Sequence, residues 1–168
     1  MKNKISNLIF IILIILAAGW GIRWYMRKTI VPEMKFQSSE LILTGANTKT
    51  TINNLKGNIV IVSFFQTWCG PCIQEMGVFE ELQSAVNSSG FKILCISDEE
   101  TDRIKMLQQR FDQSKIVFAY SAESLASMGI HVYPTTYLLN KKGEVIKSKL
   151  EGYDWRQEKA TIEKLIAE

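Results

Sequence analysis

Hydrophobic and polar positions change their period several times along this chain, and each change predicts an element. From Leu8 to Ile22 no charged or strongly polar residue interrupts the run, and counted from Ile5 only Ser6 and Asn7 do so. A helix rising about 1.5 Å per residue over that stretch covers roughly 27 Å, close to a bilayer core of about 30 Å. The pattern therefore predicts one N-terminal transmembrane helix with basic flanks, a signal-anchor over residues 1–28. Lys2 and Lys4 precede it, and Trp20, Trp24 and Tyr25 stand where an interfacial aromatic belt would. A cleaved signal peptide is the rival, with Leu8 to Leu16 as its apolar region and Ala17-Ala18-Gly19 as its small residues. The apolar run continues past that point to Ile22, which favours the uncleaved form. The basic groups on the two sides balance, so charge does not orient the segment.

Residues 29–35 form a short tether around Pro32, and residues 36–168 alternate strand and helix periods. Leu41–Leu43 and Thr50–Ile52, joined through Gly45-Ala46-Asn47, predict a hairpin. Ile59 to Phe65 is an apolar, β-branched run broken only by Ser63, the mark of a strand covered on both faces. From Pro71 to Asn87 the residues Ile73, Met76, Phe79, Leu82 and Val86 recur at three- and four-residue steps, which predicts an amphipathic helix. Phe91–Ile96 is the next buried strand. Asp102–Phe111 and Ala122–Met128 read as helices, Thr135–Leu139 and Glu144–Leu150 as strands, and Trp155–Ala167 as a closing helix with Trp155 on its core face. This order predicts an α/β sandwich with a mixed central sheet.

Charge narrows the function. Of 20 basic and 17 acidic residues, five basic ones and no acid lie in residues 1–28. The remainder is thus two charges negative, without the cationic stripe that nucleic-acid binding requires.

Candidate chemistry lies between the strand at Ile59–Phe65 and the helix that follows, in Trp68-Cys69-Gly70-Pro71-Cys72. Two thiols three positions apart suit a reversible disulfide. Cys69 falls at the helix N-terminus, where free N–H groups and the positive dipole end favour a thiolate. Cys72, one turn further, is better placed to attack a mixed disulfide than an external target. A structural disulfide or half of a zinc site are the alternatives, though zinc would have to recruit Cys95 and His131. Cys95 lies inside a strand and reads as a reduced core thiol, His131 as a surface-loop residue, and Asp98-Glu99-Glu100 as a solvated turn. Thr67, two residues before Cys69, does not match the spacing of a thiol peroxidase.

With these residues in view, the segment from about 34 to 167 resembles the thioredoxin superfamily, and more narrowly its membrane-anchored TlpA/ResA-like thiol-disulfide oxidoreductases. Gly129-Ile130-His131-Val132-Tyr133-Pro134-Thr135-Thr136 is similar to the family's cis-proline loop, and Leu55-Lys56-Gly57 and the insertion around residues 98–120 are similar to that branch. The resemblance implies a thioredoxin-like three-layer sandwich with an N-terminal hairpin and a central insertion. It implies a cis Pro134 beside Cys69, and substrate contact at Trp68, Tyr133 and Pro134; an ordinary trans proline opening a strand is the alternative. Many thioredoxins place an Asp beneath the second Cys, where Ser63 stands here. Glu75, three residues after Cys72, matches a glutamate of the TlpA/ResA-like motif and is the substitute proton acceptor, against the alternative of an exposed first-turn carboxylate. Gly77 departs from the family's usual Pro. The implied function is reduction of disulfides in exported proteins, apocytochromes c among them, without a cofactor or metal and recharged by a membrane electron donor. The domain would lie on the extracytoplasmic side, with release after signal cleavage as the alternative. A copper-handling metallochaperone and a non-catalytic interaction domain are the rival functions.

Overall fold

The computed structural model describes residues 10–22, 32–150 and 152–168, which fall into two compact units, Met1–Pro32 and Glu33–Glu168. In the first, helix α1 spans 10–22 with every residue exposed. No helix among the described residues is long and apolar enough to cross a membrane. Positions 5–9 and 23–28 of the expected anchor, with Trp24 and Tyr25, lie outside the described residues.

The second unit is built on seven strands: β1 (Leu41–Leu43), β2 (Thr48–Thr50), β3 (Ile59–Phe64), β4 (Phe91–Ser97), β5 (Ile116–Ser121), β6 (Thr135–Leu139) and β7 (Val145–Leu150). They hydrogen-bond in the order β2-β1-β5-β4-β3-β6-β7. Only β3–β4 and β4–β5 are parallel, so the sheet is mixed, as the pattern predicts. All six residues of β3 are buried, as expected of a strand paired on both edges and covered on both faces. Helices α2 (Gly70–Val86) and α3 (Thr101–Gln108) make the two parallel crossovers, and α4 (Lys159–Ala167) closes the chain. Alternation along the strands sends Ile59, Ile61, Ile93 and Phe118 into one cluster with Phe79 and Leu82 of α2, Ile104 of α3 and Ile162 of α4. On the opposite face Phe64 meets Phe36 and Tyr137 edge-on, at ring separations of 5.1 and 6.1 Å. Phe36, from the segment before β1, is thus part of the cover on that face.

Four local expectations are corrected. Strand β5 was hidden in the presumed insertion; it pairs with both β4 and β1. The second hairpin strand is Thr48–Thr50, and Ile52 opens a 3-10 turn instead. The helix expected at Ala122–Met128 is a succession of turns, which Gly129, at φ +82°, ends; Asp98 Oδ2 accepts the Leu125 N–H at 2.8 Å within it. The last helix begins as a 3-10 turn, Trp155–Glu158, before α4. Despite Gly77, α2 runs unbroken to a left-handed cap at Asn87.

Candidate redox site

Strand β3 delivers the chain to the site. Phe65 N–H still bonds to Ile96 C=O at 3.0 Å, and four residues later Cys69 is the N-cap of α2, with extended backbone dihedrals. Pro71 occupies the first turn, where its missing N–H leaves no intrahelical bond unmade. Cys69 Sγ accepts the Cys72 N–H at 3.2 Å, so the attacking sulfur faces the unpaired donors of the helix end. The two cysteines form a disulfide, with Cα atoms 5.3 Å apart. Cys72 is almost fully buried, Cys69 slightly less so, and Gly70 and Pro71 between them are exposed.

The loop before β6 meets this end of the molecule through the pairing of Phe64 with Thr135. Its Tyr133–Pro134 peptide is cis. Trp68, 71% exposed, stands edge-on to Tyr133 with ring centroids 6.3 Å apart. Trp68, Tyr133 and Pro134 are therefore brought to the redox end together. Pro71, Glu75, Pro134, Tyr153 and Arg156 line a cavity of about 530 Å³ beside it.

Glu75 is not an exposed first-turn carboxylate. It is 7% exposed, and three donors enclose it: Ser63 Oγ at 3.1 Å and Thr136 Oγ1 at 2.9 Å to Oε2, and Trp155 Nε1 at 2.8 Å to Oε1. Burial pushes its carboxyl up from the ordinary range, and the three donors pull against that shift without cancelling it. Ser63, expected only to be an inadequate base, is thus a ligand of the acid. Thr136 and the indole N–H of Trp155 carried no functional expectation. The pairing of Ser63 with Thr136 across β3 and β6 is the link that alternation along β6 alone could not supply.

Cys95 pairs in register with Ser63 and is a buried free thiol, as expected. Burial pushes its pKa well up, and the Glu75 charge adds to this. His131 is exposed on its loop, as expected. Among the described residues no three His, Cys, Asp or Glu side chains come together in a metal-binding group.

Asp98 and Glu99 are not a solvated turn. Asp98 accepts from Gln66 Nε2 at 2.7 Å as well as from Leu125 N–H, which ties the loop leading to Cys69 to the turns leading to Pro134. Glu99 accepts from Thr67 N–H and, at 3.0 Å, from the Thr67 hydroxyl.

The Redoxin family model matches residues 31–166. The thiol-disulfide oxidoreductase ResA of Bacillus thuringiensis subsp. konkukian is 27% identical over 165 residues, covering 90% of this chain and 95% of that protein. The fold is similar to that of StoA from Bacillus subtilis, with a TM-score of 0.56 at 24% identity over 71% of this chain and 94% of the other. It is also similar to that of Peroxiredoxin Q from Xanthomonas campestris, with a TM-score of 0.63 at 19% identity over 83% and 98% of the two chains. With a close cysteine pair at a helix start on a thioredoxin-like fold, the chain belongs to the Redoxin family and is a thiol-disulfide oxidoreductase similar to those of the ResA type.

Proposed function

We propose that this chain is a membrane-anchored, extracytoplasmic reductant of disulfides in exported proteins, with apocytochromes c among its clients and Ile5–Ile22 as its anchor. The observation that carries the chemistry is the Cys69–Cys72 disulfide at the start of α2, with the Glu75 carboxyl buried behind it. In the reduced protein, the Cys69 thiolate attacks one sulfur of a client disulfide and expels the other as a thiolate. Cys72 then gives its proton to ionised Glu75 and attacks Cys69 Sγ. The client leaves with both sulfurs reduced, and the domain is left oxidised. Trp68, Tyr133 and Pro134 hold the client's extended segment against the site, through contact faces and the backbone before the proline. Gly-Pro between the cysteines resembles reducing thioredoxins, whose potential is about −270 mV. An oxidising compartment holds no soluble reductase, so a membrane protein that carries electrons across the bilayer recharges the pair.

The test is trapping. The Cys72→Ser chain accumulates mixed disulfides with exported clients through Cys69, whereas Cys69→Ser traps none. Equal trapping by both reverses the roles assigned to the two thiols. A potential above about −150 mV overturns the reductant reading. Tight Cu(I) binding without disulfide turnover points to metal handling instead.

A further inference from the structure

We propose that the groove between Thr67 and one face of α3 docks an acidic stretch of the client beside the cysteine that Cys69 attacks; the inference rests on the reductant reading above. The groove has a volume of about 460 Å³ and is lined by Thr67, Arg103, Met106, Leu107 and Arg110. Arg103, Met106 and Arg110 recur at three- and four-residue steps, so they share one face of α3 and of the 3-10 turn that continues it. Leu107 is buried and forms the floor, while Met106 is 62% exposed.

The charges are what select the occupant. Arg110 has no ion pair among the described residues, and Arg103 Nη1 lies 3.9 Å from Glu99 Oε1, at the outer limit of an ion pair. That carboxylate is only 12% exposed and already accepts two bonds from Thr67. The groove therefore offers two guanidinium groups and an apolar floor, with no carboxylate among its lining residues, on a domain that is otherwise slightly acidic. Guanidinium forks match carboxylates in shape as well as in charge. Position adds the rest. Thr67 is two residues from Cys69, and a chain spans at most about 3.6 Å per residue, so the groove's near wall lies within roughly 7 Å of the attacking residue's Cα. An Asp or Glu side chain two to four residues from the client's cysteine reaches that far. The two bonds that Thr67 donates to Glu99 fix the corner before α3 to the redox loop, which holds the groove at that distance.

The experiment uses the full chain in detergent, reduced beforehand, and three disulfide peptides that differ only in carrying acidic, neutral or basic residues at those flanking positions. The second-order rate constant for oxidation of the protein by each peptide is measured at low salt and at about 1 M salt, where the Debye length is about 3 Å. The acidic peptide reacts about three- to tenfold faster than the neutral one at low salt, the range expected of two exposed charge pairs, and the preference disappears at high salt. In the Arg103→Glu/Arg110→Glu chain the order of acidic and basic peptides reverses relative to the neutral peptide read on the same protein. Equal rates for the three peptides, or a preference that the double substitution leaves in place, overturn the docking groove while the reductant reading stands. No reaction with any peptide overturns both.

Discussion

Glu75 holds a carboxyl in a site that burial makes unfavourable for charge, and three donors make the charge bearable there. Its base form predominates only above the raised pKa. Release of the mixed disulfide should therefore accelerate with pH through that value. Glu75→Gln keeps the side chain's size but removes the base, and should slow release by roughly 10²–10⁴-fold while leaving the attack by Cys69 nearly unchanged; stopped-flow measurement of the two steps separates them. The same substitution has a stability signature. Because the folded pKa is raised above the unfolded one, the wild type loses stability as pH rises from the unfolded value through the folded value. The Gln chain should gain on it over that window and keep a constant advantage above it, as read by thermal unfolding across pH. Trp155→Phe removes one of the donors that favour the charged form, so the rising limb of the release profile should move to higher pH. A limb that stays in place detaches Trp155 from the chemistry. Ser63→Ala shifts the limb less, since Thr136 still serves the same oxygen.

At the scale of elements, the site is made where three segments end together: β3 running into α2, the turns and loop running into β6, and the corner after β4. Asp98 joins them, taking Gln66 from the first and the Leu125 N–H from the second. One half-buried side chain thus satisfies donors from two segments, and removing it leaves both without their partner. Asp98→Ala should cost about 1–3 kcal/mol in a denaturant titration and should raise hydrogen exchange at the Leu125 amide while leaving the β3 amides protected. Unchanged exchange at Leu125 would show that the turns stand without the acid. The turns that stand at 122–129 in place of the expected helix are tied to a strand end 27 positions away, and long-range bonds of that kind leave no trace in a short window of sequence.

For the whole molecule, labelling of the thiols tests the proposed anchoring and extracytoplasmic placement. With Ile5–Ile22 spanning and the domain outside, a membrane-impermeant thiol reagent should label reduced Cys69 in intact cells whose outer barrier, if present, has been opened. Labelling only after lysis places the domain in the cytoplasm. Buried Cys95 should stay unlabelled in both cases until the protein unfolds. Across the molecule, the residues by themselves determined whatever depends on local spacing. The dithiol at a strand-to-helix junction, the buried β3, the face of α2 and the mixed α/β order all follow from periodicity and composition over a few residues. The site's second half did not. Glu75 could be named from its step after Cys72, but whether it faced water or the core was open until β3, β6 and the Trp155 turn closed around it. Strand β5 and the ties from Asp98 and Glu99 likewise exist only as pairings between distant segments. Local order is set by each residue's neighbours in the chain; burial, pKa and the partners of a buried acid are set by neighbours in space, and only the tertiary structure supplies those.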